Sequence, residues 1–596
     1  EANFATLTFV FGGRRVNWVE LQGGAIDLEW DKARQRNSWT FAQAGKPLEL
    51  PNVVRAVVDG TTIRYRDPKM QLGADIAVRT IRAQGWEVMN AVRFAGTGTA
   101  RATPFSVEGA LLSPNQTIAG GRTKLALTVH AARTVAGIDG TLPGATQIEG
   151  ADLHIDVRGR NIADLFAVAG IAVPETRAYR LRSALTKRGR DWRFTGLRGR
   201  FGDSDLSGRL IVAMTEPRMK LTADLATRTL DIVDVAPFIG YDPDRVAAMG
   251  AKGAVTTVGG APRLLPDAPL RVDALRNFDA DVHYAVRQVR AKSLPVANID
   301  LKLALDDRLL TLSPLTFDMA RGHVDADIAI NARRPAVVTD YDIRLSPTPM
   351  GVLLAGFGVE QSGTTGTLKA RIKMTGTGNS VHDSLSSANG RIAIIMPRGS
   401  FWARNVQLSE LDLGTYVYKL FQGKLKEPVQ INCGLIGFTV RNGIAAADPI
   451  LIDTAKNVMV GRGGFSFKNE TMDLAFRADG KKFSLFSGQS PVSLGGYFAR
   501  PDINPISGDL FLRGGAAVGL GVIASPLASV LAFVDIGDAK AAACGPVLAG
   551  ARASAQRTTK GAPRDDVGRG TTAKSENGNC TPDQKKAQRK KFLGIF

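Results

Sequence analysis

Apolar and polar residues alternate with a period of two along most of this 596-residue chain. Residues 301–305 read Leu-Lys-Leu-Ala-Leu, and residues 324–330 read Val-Asp-Ala-Asp-Ile-Ala-Ile. Successive side chains of a β-strand point to opposite faces of its sheet, so this pattern predicts strands with one apolar and one polar face. Turn pairs such as Asp59-Gly60 and Asn442-Gly443 separate the alternating segments, and such pairs favour tight hairpins. The chain is therefore predicted to be mainly β, as a long antiparallel meander.

The alternating units recur behind small-residue turns, which indicates a degenerate internal repeat. The clearest units lie at 203–212, 322–330 and 461–467. Short helices are predicted where apolar stretches end on glycine, a common helix stop. These stretches lie at 161–170, 231–240 and 349–358. The 64 glycines and the low aromatic content of 7% fit many short strands better than long packed helices.

Changes in composition divide the chain into four predicted regions. They are an N-terminal β region at 1–150, repeating β units with short helices at 151–380, a C-terminal region at 381–550, and a basic tail at 551–596. Apolar residues at helical spacing predict further helices at 413–422 and 526–534. The tail lacks periodicity and is predicted to be disordered. Its basic, apolar-tipped end is either a solvated tail or a contact for an anionic membrane surface.

The formal net charge of +20 points to anionic partners or to solubility alone. Outside the tail, the basic residues are isolated between apolar ones. A nucleic-acid interface requires clustered basic residues, usually with stacking aromatics, and no stretch of the sequence combines them. Nucleic acid is therefore not expected as a partner.

Residues with catalytic or metal-binding potential are scattered. The histidines are His130, His154, His283, His323 and His382, and the cysteines are Cys433, Cys544 and Cys580. None of the common catalytic motifs appears, and the pair Asp203 and Asp205 is interpreted as part of a turn. We expect no enzyme activity, no cofactor and no metal site. Cys544 and Cys580 are the candidate disulfide pair, which leaves Cys433 as a free thiol.

A sheet with one apolar face has two ways to remove that face from water. It can pack as a closed core, or it can curl into a trough that needs a ligand or a partner, because large bare apolar patches are unfavourable. Acyl chains suit such a trough, since they require no specific polar contacts. Periodicity does not distinguish a core from a trough.

An ordered series of short motifs resembles the AsmA family of bacterial envelope proteins. Near the start, the matching motifs are Trp39-Thr-Phe41, Asp59-Gly60 and Tyr65-Arg-Asp67. In the middle, they are Trp192-Arg-Phe194, Gly202-Asp-Ser-Asp205 and Leu230-Asp-Ile-Val-Asp234. Towards the end, they are Gly390-Arg-Ile392, Arg500-Pro501 and Asp535-Ile-Gly-Asp538. The resemblance covers residues 1 to 550, and the basic tail has no counterpart in it.

The resemblance implies a long, curled antiparallel sheet that forms an elongated apolar groove, a β-taco. It also implies phospholipid transport between the inner and outer membranes by a periplasmic protein. The resemblance also implies attachment to the inner membrane by an N-terminal helix, which we expect to lie outside this sequence. The alternative function is a scaffold or chaperone for outer-membrane protein assembly, with outer- or inner-membrane proteins as partners. The motifs mark strand ends and turns and imply no catalytic residue.

The apolar residues of the alternating strands are the candidates for contact with acyl chains. They are Leu301, Leu303, Leu305, Ile328, Ile330, Ile392, Ile394, Leu474 and Phe476. Phospholipids and the two membranes are the expected partners.

Overall fold

The computed structural model describes most of the chain up to residue 504. The described residues are 2–4, 15–31, 36, 38, 52–68, 71–81, 91–112, 122–143, 149–168, 170, 171, 173, 175–239, 241–249, 255–267, 274–291, 296–355, 363–401, 428–455, 457–480 and 492–504. The predicted helices at 413–422 and 526–534, the tail at 551–596, and Cys544 and Cys580 lie outside them. Within these ranges the protein is dominated by strands, which confirms the mainly-β class.

The strands in the first half of the chain run mostly as successive hairpins. They are β1 (Ala2–Phe4), β2 (Arg15–Gln22), β3 (Ala25–Glu29), β4 (Asn52–Asp59), β5 (Thr61–Asp67), β6 (Leu72–Ile81), β7 (Ala91–Ala100), β8 (Thr103–Leu112), β9 (Thr123–Ala131), β10 (Thr134–Leu142), β11 (Asp152–Gly159), β12 (Tyr179–Arg188), β13 (Asp191–Phe201), β14 (Ser204–Ala213) and β15 (Met219–Asp231). Strands β16 (Thr256–Val258) and β17 (Ala261–Arg263) form a separate hairpin.

The remaining strands continue the long sheet. They are β18 (Phe278–Arg290), β19 (Val296–Asp306), β20 (Leu309–Met319), β21 (Gly322–Asn331), β22 (Val338–Pro349), β23 (Thr367–Thr377), β24 (Asn389–Met396), β25 (Gly399–Phe401), β26 (Val429–Arg441), β27 (Ile444–Thr454), β28 (Asn457–Ser466), β29 (Thr471–Gly480), β30 (Val492–Tyr497) and β31 (Arg500–Asn504). The sheet is long because each hairpin leaves a free edge for the next strand.

The helices of the described residues are short. They are α1 (Ile162–Val168), α2 (Ile232–Val235), α3 (Pro243–Met249), α4 (Met350–Leu354) and α5 (Val381–Ser386), with 3₁₀ turns at Ala236–Ile239 and Ala274–Arg276. Helices α1, α2 and α4 lie within the three stretches that were predicted from apolar runs ending on glycine. Gly170, which follows α1, has a φ of +74°, the left-handed conformation that lets glycine end a helix.

The long sheet is mixed, which corrects the expectation of a purely antiparallel meander. Strand β3 pairs in parallel with β5, and β15 pairs in parallel with β18. Parallel neighbours cannot be joined by a tight turn and need a connection of about a dozen residues or more. Residues 232–277 supply that connection between β15 and β18. The small first sheet also contains a parallel pair, β2 with β4.

The chain divides into two compact units. Unit 1 comprises 1–244, 271–290 and 298–310, and unit 2 comprises 245–270, 291–297 and 311–596.

In unit 1, the buried carboxylate of Asp234 on helix α2 accepts hydrogen bonds from the turn between β13 and β14. Asp234 is 0% exposed, and its Oδ2 accepts hydrogen bonds from the backbone N–H groups of Asp203 (2.8 Å) and Ser204 (2.9 Å). Its Oδ1 accepts a bond from Arg177 at 3.0 Å. A Cβ at Gly202 would lie 1.9 Å from Asp234 Oδ1, so only glycine fits the turn there. Two of the family-like motifs therefore meet in a structural contact.

Asp205 has a structural role in the same region, at the start of β14. Its carboxylate accepts backbone N–H bonds from Thr229 at 2.8 Å and from Arg228 at 3.1 Å. These bonds continue the contact between β14 and β15 where their register ends.

Cross-strand ion pairs cover the polar face of unit 1. Asp156 bonds Arg180 at 3.0 Å and Arg182 at 2.6 Å, and the hydrogen bond from Arg180 is the largest cause that lowers the pKa of Asp156. His283 lies between Asp300 (Nε2–Oδ2, 2.9 Å) and Asp224 (Nδ1–Oδ1, 3.1 Å). Much of the positive charge on this face is therefore paired within the sheet.

In unit 2, strands β24 and β26 are buried on both faces. The register pairs Ile395 with Leu435, and these side chains are 1% and 0% exposed. On the opposite face, Phe438 packs in an apolar cluster with Met374 and Val440. Both faces of this part of the sheet are therefore core, unlike the alternating strands of unit 1.

Cys433 lies on β26, is 1% exposed and is disulfide-bonded. This corrects the expectation that it is a free thiol. The predicted pairing of Cys544 with Cys580 falls outside the described residues and stays a prediction.

Replacing the buried Asp234 should weaken unit 1. In Asp234→Ala, three N–H or O–H donors and Arg177 lose their acceptor, and the expected cost is about 3 kcal/mol of unfolding free energy. Asp203→Asn is the matched control, because Asp203 is 67% exposed and its 3.5 Å pair with Arg177 is worth little. Urea denaturation followed by circular dichroism checks this. Equal midpoints for the two variants would contradict it.

His283 should make stability depend on pH. Asp300 first and Asp224 second raise its pKa above the ordinary value of 6.5. The stabilisation is therefore complete below that ordinary value and is lost as the pH rises through the raised folded-state pKa. His283→Gln should lower the thermal midpoint most at about pH 5.5 and least at about pH 8.5.

The control for that measurement is His130→Gln, an exposed histidine of β9. The His283→Gln deficit is compared with that of this variant at each pH. A constant His283→Gln deficit across the pH range would contradict the expectation.

Candidate functional site: the open apolar face of unit 1

Strands β6 to β11 carry continuous rows of apolar side chains on one face. One row follows the strand register from Val78 through Phe94, Gly109, Leu127 and Ile138 to Ile155. A second, parallel row runs through Ile76, Gly96, Val107, Val129, Ala136 and Val157. The large apolar side chains of both rows are half-buried except Val157, which is buried. Apolar surface therefore stays accessible along this face.

The reverse face of the same strands is polar and exposed. On β8, Ser106 and Glu108 are exposed, whereas Phe105 and Val107 beside them are half-buried. This contrast follows from the pleat, which sends successive residues to opposite faces. The sheet in this region therefore has one solvent-exposed polar face and one half-buried apolar face.

Glycines let aromatic rings lie across the apolar face. A Cβ at Gly109 would be 2.6 Å from the Cζ of Phe94, and a Cβ at Gly98 would be 2.6 Å from the Cζ of Phe105. Each ring therefore occupies the space above a glycine of the neighbouring strand. Larger residues at the glycine positions would push the rings away from the sheet.

Short helices cover one end of the neighbouring strands. The buried cluster there contains Val157, Tyr179, Phe201, Leu230 and Val286, and Ile162, Leu165 and Val235 from α1 and α2 pack against it. The hydroxyl of Tyr179 bonds Thr134 Oγ1 at 3.0 Å, and burial is the main cause that raises the pKa of Tyr179. This end of the apolar face is closed, and the buried hydroxyl of Tyr179 has a hydrogen-bond partner.

The sequence-predicted lining residues all lie on strands, and their burial differs. In unit 1, Leu301 and Leu303 are half-buried, whereas Leu305 is 3% exposed and belongs to a cluster with Leu221 and Phe278. Leu303 packs against that cluster.

In unit 2, Ile328, Ile330, Ile392, Ile394 and Phe476 are half-buried, and Leu474 is 8% exposed. The structure brings Ile392, Leu474 and Phe476 together around Phe438, while Ile394 packs in a separate cluster around Met350. Their contact with acyl chains stays a prediction.

The apolar rows of β6 to β11 were not among the predicted lining residues. A signal for them was present, because Phe105, Val107 and Leu111 alternate with polar or small residues on β8. Glycines at 96, 98 and 109 interrupt that alternation in the sequence, although the neighbouring rings fill two of those gaps in the fold.

Within the described part of the chain, no helix is long and apolar enough to cross a membrane.

Comparison with known proteins identifies the family. The model of the AsmA family matches residues 117–445. The AsmA family protein YhjG of Escherichia coli (strain K12) is 27% identical over 425 residues, which cover 70% of this chain and 62% of that relative. The match thus spans less than two thirds of the relative's length. The family model covers more than half of the chain, so this chain belongs to the AsmA family.

Proposed function

We propose that this protein shields the acyl chains of phospholipids on its open apolar face and transports phospholipid between the inner and outer membranes. The observation that carries the proposal is the pair of half-buried apolar rows across β6 to β11. An accessible apolar surface of this kind is unfavourable in water and is stabilised when an apolar ligand covers it.

The length of the rows suits an acyl chain. Six neighbouring strands at a spacing of about 4.8 Å span about 24 Å. The acyl region of one bilayer leaflet is about 15 Å deep, half of the hydrocarbon core. One acyl chain can therefore lie along a row, with its polar headgroup in solvent beyond the edge of the apolar face. The apolar side chains need no specific polar contact to hold it.

The proposed location is the periplasm, with attachment to the inner membrane. AsmA family membership supports a place in the bacterial envelope. The disulfide at Cys433 also supports an oxidising compartment, since disulfides persist there and are rare in the cytosol. The proposed role is binding and transfer without catalysis or a bound cofactor, which agrees with the structural use of Asp205 and Asp234.

Photocrosslinking tests the lipid contact. A photoreactive amino acid at Val107 or Leu127 should crosslink to phospholipid, because both side chains lie in the apolar rows. The matched positions Ser106 and Glu108 lie on the same strand as Val107 and face the other way, so they should not. Mass spectrometry of the crosslinked and co-purified lipid is the measurement.

Two results would overturn the proposal. One is the absence of lipid adducts at every position, and the other is equal labelling of the two faces. Peptide adducts that persist after delipidation would instead favour the scaffold or chaperone alternative for outer-membrane proteins.

A charged side chain in place of a half-buried apolar residue should block phospholipid transfer without unfolding the protein. Val107→Arg and Leu303→Arg place a cation among half-buried apolar side chains, and we expect at least a tenfold loss of lipid transfer between vesicles, about 1.4 kcal/mol or more. Ser106→Arg, on the polar face, should transfer lipid normally. Leu305→Arg, at a site that is 3% exposed, should unfold instead. Normal lipid transfer by both Val107→Arg and Leu303→Arg would contradict the proposal that phospholipid contacts these residues.

A further inference from the structure

We propose that an arginine patch on the polar face of β11, β12 and β13 binds the phosphate headgroups of an anionic phospholipid membrane. The patch consists of five exposed residues, Arg158, Arg180, Arg182, Arg198 and Arg200. It lies on the polar face of unit 1, so the proposal does not depend on the apolar rows of β6 to β11.

The strand register gathers arginines that are isolated from one another in the sequence. Arg158 of β11 pairs with Arg180 of β12, which pairs with Arg200 of β13. Two residues along the strands, Arg182 pairs with Arg198. The Cβ atoms of directly opposite residues lie about 4.5 to 5.5 Å apart, and like charges at such positions destabilise a sheet. Three such oppositions make the patch unfavourable without an anion.

The neighbouring carboxylates neutralise only part of this charge. Asp156 bonds both Arg180 at 3.0 Å and Arg182 at 2.6 Å, so one negative charge is shared by two cations. Asp205 lies opposite Arg200 in the register, but its carboxylate accepts backbone N–H bonds from β15. A net positive charge therefore remains on this part of the face.

Three of the five arginines have no anionic partner in the described part of the chain. Arg158, Arg198 and Arg200 form no hydrogen bond or ion pair with the described residues. On the adjoining strands the pattern differs, because Arg209 of β14 is placed directly opposite Asp224 of β15 and bonds it at 3.2 Å. The patch therefore lacks the pairing that its neighbours have, and it can accept an external anion.

The strands that carry the patch are fixed by a packed core behind them. On their opposite face, Val157, Tyr179 and Phe201 are buried in one apolar cluster. Leu153 and Leu185 are buried in another. The backbone positions of the arginines are thus set by the ladder and by the core, which lowers the entropy that an anion must remove on binding.

The chemistry of arginine favours phosphate. A guanidinium presents its N–H donors in a planar fork that matches two oxygens of one phosphate, whereas a lysine ammonium acts as a point charge. All five basic residues of the patch are arginine. Two opposed guanidinium groups can donate to the same phosphate, and its negative charge then removes their mutual repulsion.

The surroundings of the patch favour a membrane surface over an acidic protein. Protein interfaces usually have an apolar or aromatic centre. None of the exposed large apolar side chains in the described ranges lies on β11, β12 or β13. An anionic membrane attracts basic residues by charge and needs no such centre. Membership of the AsmA family also supports a place in the bacterial envelope, whose membranes present phosphate headgroups.

Flotation of the full chain with vesicles tests the patch. The parent chain should bind phosphatidylglycerol vesicles and not phosphatidylcholine vesicles, and high salt should release it because salt screens exposed charges. Each arginine near an anionic surface strengthens binding about fivefold. The combined variant Arg158→Gln, Arg198→Gln and Arg200→Gln should therefore bind phosphatidylglycerol vesicles about a hundredfold more weakly.

A second combined variant is the matched control for the loss of three charges. It replaces Arg64, Arg133 and Arg344 by Gln, three exposed arginines that each lie within 4 Å of an aspartate. It should bind the vesicles as the parent chain does. Equal binding by both combined variants would overturn the proposal.

Thermal unfolding separates a binding role from a structural one. The patch variant should unfold at a midpoint no lower than that of the parent chain, because the substitutions remove like-charge repulsion. A lower midpoint would show that the arginines serve the fold, and the proposal would fail.

Photocrosslinking locates the contact on the chain and distinguishes it from binding by the basic tail. Thr195 is exposed and pairs with Ala184, two residues from Arg182 on the same face. A photoreactive amino acid at Thr195 should crosslink to phosphatidylglycerol in vesicles. The same group at Thr375, an exposed position of β23 in unit 2, should not.

The absence of lipid adducts at Thr195 would refute the membrane contact, and protein adducts there in cells would assign the patch to an acidic protein instead. Neither result affects lipid adducts at Val107, so failure of this proposal is distinguishable from failure of the proposed function.

Discussion

The hydrogen-bonded register between neighbouring strands is the constraint on which the rest of this structure depends. Each strand alternates apolar and polar side chains, so an apolar face is continuous only while the pairing keeps apolar residues opposite one another. A slip of one residue would send a whole strand's apolar set to water. The register from Val78 to Ile155 holds across six strands, and the apolar rows of unit 1 follow from it.

Buried carboxylates fasten turns and connections to the sheets. Asp234 in unit 1 gathers the backbone donors of the β13–β14 turn, and Glu470 in unit 2 gathers those of Leu264 and Leu265. An unpaired backbone N–H is costly when buried, so one carboxylate that accepts two of them stabilises a turn strongly. This explains the family-like motif around Gly202 and Asp234 as a structural contact. Glu470 differs because its second oxygen, Oε1, accepts no hydrogen bond.

Strands β24 and β26 of unit 2 cover their apolar residues differently from strands β6 to β11 of unit 1, and this difference directs the functional proposal. In unit 2, Ala393, Ile395 and Leu435 are almost fully buried on one face, while Phe438 and Val440 are buried on the other. In unit 1, Phe94, Val107 and Leu127 remain half-buried opposite an exposed polar face. The first arrangement is a packed core. The second leaves a surface that an acyl chain would cover, which is why the lipid experiments are directed at unit 1.

The sequence by itself determined the alternating strands, their two faces and the helices α1, α2 and α4, because period-two alternation and glycine stops are local properties of the chain. It also supported the family, through short motifs at turns and strand ends. Only the tertiary structure decided how completely each apolar residue is covered. Leu303 and Leu305 share one alternating strand, yet one is half-buried and the other is core, since the difference lies in what packs above them. The parallel pairing of β15 with β18 and the alignment of Arg158, Arg180 and Arg200 across three strands likewise depend on contacts between separate segments, which no local pattern encodes.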